Sequence, residues 1–313
     1  MSILACDYPC FEIIVVDDNS SDGSASIAAG LPCVLVRLGT QLGPGAARNE
    51  GARCAIGEIL AFTDADCEVS RDWLRKLTNA FKQDDVGGVT GGYAGMLNKD
   101  LLAVFQFYDT SFRQRNMPQN INACIASNFA CRKVLFEEIG GFLPQYRGED
   151  TQFGFALSER AKILWDRSNG VFHHFRKQVI PYFMNQISWA EAVVKIFLTD
   201  SSAIGKQCTW RNHEIITHLF LTILIWACLI EAAWYPALYG ALFVFTFIYA
   251  LVNINFIIFV AREECIFISL KIFPFLLVRN TAWLFGIAKA ILAYVVQPRL
   301  TTGRKREATR SSS

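Results

Sequence analysis

Short apolar runs alternate with polar, glycine-punctuated stretches over the first two-thirds of the chain, and long uncharged runs replace them afterwards. Residues 12–16 (EIIVV), 33–37 (CVLVR) and 58–63 (EILAFT) are runs of strand length rich in β-branched and aromatic side chains. A short helix is predicted over 24–30, and a longer one over about 46–56 after the Gly43-Pro44-Gly45 break. Residues 72–81 repeat apolar positions at helical spacing, and 87–90 open a further strand. Strands alternating with helices predict an α/β domain whose mostly parallel sheet is covered on both faces.

Beyond residue 213 the pattern changes. Residues 215–230 are uncharged, and 232–261 run for thirty residues without a charge. About twenty helical residues cross a bilayer's hydrocarbon, so two crossings are expected near 215–234 and 237–260, turned at Tyr235-Pro236. The apolar stretch 266–296 is interrupted by Lys271, Arg279 and Lys289, and is expected to form either a third crossing or, preferred here, interfacial helices with basic side chains reaching for headgroups.

Charge sharpens this division. The net charge is +2, but residues 1–213 hold 21 basic and 23 acidic side chains, 214–298 four of each, and 299–313 five basic and one acidic. The chain therefore reads as a soluble domain (1–213), a membrane region (214–298) and a basic tail (299–313). Bulk positive charge does not drive binding, so no nucleic-acid partner is expected. The ten cysteines form no CxxC pair and fit buried thiols in a reducing compartment. The opening MSILACDYPC lacks the charged start and apolar core of a signal peptide. Basic segments stay inside, so the domain and the tail are both expected at the cytoplasmic face of a multi-pass protein.

Three acidic clusters are candidates for chemistry. VVDDNSSDG (15–23) puts Asp17 and Asp18 at a strand end, where carboxylates suit a nucleoside's base or ribose, or an Asx turn closing the strand. Asp64-Ala65-Asp66 follows another strand; two acids one small residue apart suit Mg²⁺ or Mn²⁺ bridging a diphosphate. Gly148-Glu149-Asp150 opens a helical pattern over 151–161, where acids either cap the helix or accept a proton from an attacking hydroxyl. GPGAARNEG (43–51) lies between the first two clusters, with Arg48 placed to contact phosphate or base. It fits neither the Walker pattern nor a GxGxxG turn after the first strand.

The ordered series EIIVVDDNSSDGS, GPGAARNEGA, GEILAFTDADCEV, ASNFACRKVLFEEIGGF and GEDTQFGFAL resembles the family 2 glycosyltransferases of the GT-A fold, from about Tyr8 to His174. The resemblance implies a Rossmann-like nucleotide-sugar domain followed by the helical membrane region. By position, Asp17 and Asp18 with Arg48 fall on the nucleotide-sugar side. Asp64 and Asp66 match the DxD acids and implied metal ligands, Asp66 the nearer. Asp150 matches the catalytic base and Glu149 its neighbour. Asn128 and Arg132 fall in the block lining the acceptor side, and His173-His174 resemble the histidines that close the domain, as metal or phosphate contacts or as packing. The implied enzyme is an inverting, metal-dependent hexosyltransferase. It would use a UDP- or GDP-linked donor, Mg²⁺ or Mn²⁺, and a lipid-linked or glycan acceptor near the membrane. The alternative is a catalytically silent membrane scaffold retaining part of the fold. Processive members carry QxxRW after the base; here the stretch is Gln186-Ile187-Ser188-Trp189-Ala190, which implies a non-polymerising enzyme. The family usually has a strand and a helix before the VVDD strand. Residues 2–5 resemble the end of that helix, so the expectation is that Met1 is an internal start and about 30 residues precede it.

Overall fold

The computed structural model describes residues 2–143, 147–199 and 212–296. The chain divides into two compact units. The first comprises 2–97 and 116–174, the second 98–115, 175–199 and 212–296. The division thus falls after His174 rather than after 213, and segment 98–115 inside the sheet-forming sequence belongs to the helical unit. The basic tail and its expected topology lie outside the described residues.

In chain order the elements of the first part are β1 (Ile14–Asp17), α1 (Ser24–Ala29), β2 (Val34–Arg37), α2 (Pro44–Cys54), β3 (Ile59–Thr63) and β4 (Cys67–Glu68). They continue with α3 (Trp73–Asn79), β5 (Val86–Thr90), β6 (Tyr93–Met96), α4 (Leu101–Gln114, of the second unit), β7 (Asn120–Ile121) and β8 (Asn128–Arg132). α5 (Lys133–Ile139), α6 (Glu149–Ser158), β9 (Lys162–Trp165) and β10 (Val171–His173) complete the first unit. The α/β class holds, but the sheets are mixed rather than mostly parallel. β1 and β2 form a parallel pair, β4-β10-β6 a second sheet, and β3-β8-β5-β9-β7 the main one. In the main sheet only β5–β9 is parallel. Local pattern fixes which residues face the core, whereas strand direction depends on distant partners. The antiparallel β3–β8 ladder sets Asn128 opposite Thr63 and Arg132 opposite Ile59, so these two residues of one strand lie at opposite ends.

An aromatic core under this sheet fixes α6. Phe129, Phe136, Phe142 and Phe153 are buried together, with the Phe142 and Phe153 rings 4.9 Å apart. Gly154 lets α6 lie directly on the segment before β8; a Cβ there would come within 2.6 Å of the Ala123 backbone.

The second unit adds α7 (Val179–Thr199), α8 (Asn212–Glu231), α9 (Leu238–Val252), α10 (Ile254–Glu263), α11 (Ile266–Ile272) and α12 (Pro274–Val296) to α4. α7 and α12 pack closely: a Cβ on Gly286 would sit 2.4 Å from the Ile187 carbonyl, and Trp283 Nε1 donates to Gln186 at 2.9 Å. The unit's largely apolar interior also holds a polar cluster. Arg279 is buried and pairs with Asp109, whose other oxygen accepts from Arg113 at 3.0 Å. Asn280 donates to the Tyr249 hydroxyl at 2.7 Å. Large apolar side chains such as Phe220, Phe243, Phe247, Phe285 and Leu292 are exposed instead.

The expected crossings are redistributed. Among the described residues, the stretch long and apolar enough to cross a membrane by itself is Ile266–Val296, α11 and α12 taken together, where a third crossing or interfacial helices were expected. Leu238–Val252 and Ile254–Glu263 are bent by 57° and reach that length only as a pair, while 215–231 is shorter. The bend has a local cause: the Asn253 side chain donates to the Tyr249 carbonyl at 2.8 Å, competing with the helix ladder. Nor does Arg279 reach for headgroups; it is consumed by Asp109, and Lys289 pairs with Glu191 at 2.7 Å.

Candidate active site

The acidic clusters gather where β3 ends and where α2 and α6 begin or pass. β3 stops at Thr63 because the next four residues turn, with the Cys67 N–H donating to the Asp64 carbonyl at 3.1 Å. The turn separates the two acids of the DxD. Asp64 accepts from Arg48 Nη2 at 2.7 Å, and Arg48 Nη1 donates to Glu149 Oε1 at 2.9 Å. Asp66 points elsewhere and stays exposed, with His173 Nε2 3.5 Å from its Oδ1. The antiparallel β4–β10 pairing makes this meeting, since it sets His173 opposite Cys67 and lets His174 N–H donate to the Asp66 carbonyl at 2.8 Å.

Asp66, Cys67 and His173 offer ligand atoms that all lie within 4.8 Å of one another. An oxygen and an imidazole nitrogen at an exposed turn form a donor set that fits Mn²⁺, and the oxygen fits Mg²⁺. Asp64, the other expected ligand, is held by Arg48. The pairing of Asp66 with His173, 107 positions later, carries no local sequence signal.

Asp150 lies in the first turn of α6, half-buried, one oxygen accepting its neighbour Thr151's N–H at 2.7 Å. Burial foremost, and then the negative charge of Glu149, push its carboxyl up to about 6, against the opposing pull of the Thr151 N–H and Arg48. Such a group is ionised at neutral pH yet binds a proton far better than a solvated aspartate.

The remaining expected residues divide. Asp18 accepts from Leu42 and Gly43 N–H groups at 2.7 and 2.8 Å and so ties β1 to the loop before α2. Asp17 closes an Asx turn onto Ser20 N–H at 3.2 Å. Asn128 is fully buried at the Thr63 end of its ladder. It accepts from Trp73 Nε1 at 2.9 Å and donates to the Asn169 carbonyl at 2.6 Å. The structure does not bring Arg132 to this cluster: at the far end of β8 its guanidinium donates to the carbonyls of Phe81, Gln83 and Val86. Asn49, absent from the expected set, grips the Phe142 backbone from both sides at 2.7 and 2.8 Å.

With this geometry in hand, comparison with known proteins is direct. Residues 2–140 match the family profile described as Glycosyl transferase family 2. Glycosyltransferase AglE of Haloferax volcanii is 30% identical over 140 residues, 42% of this chain and 45% of that protein. The pre-mycofactocin glycosyltransferase of Mycobacterium tuberculosis is 25% identical over 179 residues, 53% of this chain and 38% of its own length. Mannosyltransferase PcManGT from Pyrobaculum calidifontis, solved with GDP-Man and Mn²⁺, superposes with a TM-score of 0.56 at 17% identity. That superposition covers 93% of this chain and 81% of the mannosyltransferase, and establishes the shared GT-A-like fold. Over residues 2–140, a little under half of its length, the chain is similar to glycosyl transferase family 2. It spans less than half the length of the curated relatives it matches.

Proposed function

We propose that the protein transfers a sugar from a nucleotide-sugar donor, GDP- or UDP-linked, to an acceptor hydroxyl with inversion, and that Asp150 is the base. The observation that carries this reading is the half-buried Asp150 carboxyl, raised to about 6, on the helix whose Glu149 is linked through Arg48 to the DxD turn. The acceptor oxygen attacks the anomeric carbon, its proton passes to a carboxylate oxygen of Asp150, and the bond to the diphosphate breaks on the opposite face. Asp150 must be ionised beforehand, so a raised affinity for the proton favours transfer during attack without abolishing the base form at neutral pH.

Asp66 and His173 would hold the divalent cation, Mg²⁺ or Mn²⁺, which when bound neutralises charge on the departing diphosphate. The GDP-Man and Mn²⁺ held by the Pyrobaculum mannosyltransferase agree in kind with a GDP-linked donor. The exposed apolar side chains of the helical unit, with its charged pair Arg279–Asp109 turned inside, support membrane association and an acceptor that is lipid-linked or membrane-proximal. The test is nucleotide release from a panel of GDP- and UDP-sugars with Mn²⁺, Mg²⁺ or EDTA. Turnover with one donor, lost in EDTA, supports the reading; no turnover in any arm, with intact folding, overturns it and favours a silent scaffold.

A further inference from the structure

Arg48 and Asn49 are adjacent on α2, yet their side chains reach three separate pieces of the site. Arg48 is only 14% exposed and forks between Asp64, sixteen residues away, and Glu149, a hundred and one away. Its guanidinium lies 5.6 Å from the Phe142 ring centroid. Asn49 accepts from the Phe142 N–H and donates to the Phe142 carbonyl, the pattern of a strand partner, which fixes the backbone there in two directions. The turn before it is built for this approach: Gly141 has φ +74°, and a Cβ on it would fall 2.5 Å from Asn49 Oδ1. One helix therefore grips the turn that follows β3, the segment that precedes α6, and the first residue of α6.

We propose that Arg48 and Asn49 are positioning residues, a two-pronged brace that sets Asp150 against the donor-binding turn, and that Arg48 acts through Glu149 and Asp64 rather than by touching phosphate. Each Arg48 contact is a charge-assisted bond of fixed fork geometry, which one lysine ammonium cannot duplicate on two carboxylates at once. The inference deepens the proposed reaction and rests on Asp150 being its base.

The groups facing Asp150 are Glu149 on its own helix, Arg48 from α2, and from the segment before β8 the Cys124 thiol, which donates to the Asp150 carbonyl at 3.0 Å, and the Ala126 N–H. Removing Arg48 leaves Glu149 unneutralised beside Asp150, so Asp150 holds its proton to higher pH. Removing the charge of Glu149 does the opposite. The base works when ionised, so the acid limb of the rate profile follows both changes.

The experiment measures nucleotide release from GDP-mannose, or whichever sugar of the GDP- and UDP-linked panel turns over, against pH. GDP affinity in Mn²⁺ and thermal melting are followed in the same preparations. Arg48→Gln is expected to keep its GDP affinity while the acid limb moves up by about one pH unit, and Glu149→Gln to move it down by about one unit. Arg48→Lys should return the limb towards its original place but leave the maximal rate low. Asn49→Ala should lower the maximal rate without moving the limb. A loss of GDP affinity in Arg48→Gln in step with turnover makes Arg48 a phosphate contact and overturns the brace, as does an unmoved limb in both glutamine variants. If Arg48→Gln does not fold, the Glu149→Gln limb decides alone. Failure of the underlying reading looks different: Asp150→Asn then keeps wild-type turnover whatever the Arg48 variants do.

Discussion

Two buried or half-buried aspartates in two regions of this molecule have opposite fates. Asp109, in the helical unit, gives one oxygen to Arg279 and the other to Arg113, so its lone pairs are consumed by fixed cations. Asp150, at the start of α6, has Glu149 as the charge that acts on it most strongly, and its carboxylate accepts from the N–H and hydroxyl of Thr151. Burial alone does not make a carboxylate reactive. Added to burial, the sign of the charge beside it decides: a paired carboxylate is a structural tie, and a buried one beside a like charge holds its proton more tightly.

The sharpest way to break this comparison is to neutralise Asp150. Asp150→Asn is expected to bind GDP or UDP normally while sugar transfer falls by about 10² to 10⁴-fold, since the amide keeps the shape without the basicity. Steady-state rates alongside calorimetric nucleotide binding check it. The matching change in the other region, Asp109→Ala, strands two guanidinium groups and is expected to cost about 3–5 kcal/mol of stability, read by thermal unfolding in detergent. If Asp109→Ala melts like the parent, the contrast between tie and base is lost.

A further test separates the two acids of the DxD. Asp66→Ala should remove the Mn²⁺ dependence of nucleotide affinity, because the turn loses its exposed carboxylate beside His173. Mn²⁺-dependent affinity equal to that of the parent would place the cation elsewhere.

The pH profile sharpens the comparison without any mutation. In the proposed reaction Asp150 acts as the ionised base and its carboxyl is raised to about 6, so the rate should be full well above pH 6 and lost as pH falls through that value. A profile flat down to pH 5 would be incompatible with this assignment. The smallest effect is expected at Arg132, where Arg132→Ala should leave turnover unchanged and cost about 1–2 kcal/mol as three carbonyls lose a charged donor. A fall in turnover at unchanged donor affinity would restore Arg132 to the acceptor side.

Much of the sheet-forming unit was legible in the sequence. β1, β2, β3 and α2 lie within a few residues of their expected positions, since hydrophobic period, glycine breaks and strand-ending acids act locally. The ordered motifs were sufficient for the likeness to glycosyl transferase family 2, and for placing Asp64 and Asp66 on a turn after β3 and Glu149 and Asp150 at the start of α6. Asp17's alternative role as an Asx turn was also readable, because that bond spans three residues.

What only the tertiary structure decided is every relation between distant segments. Reversal of β8 against β3 sent Arg132 away from the site and buried Asn128 beneath it, although both lie on one strand. Antiparallel pairing of β10 with β4 brought His173 to Asp66, and two neighbouring side chains of α2 joined segments that the sequence separates by about eighty residues. In the helical unit, uncharged length suggested spans at 215–234 and 237–260, but the second is bent by 57° at Asn253, and a buried aspartate holds Arg279 inward on α12. Local composition sets which face of an element is apolar; direction, register and the choice of charge partner are settled by whichever distant segment packs against that face, and no window of sequence contains both.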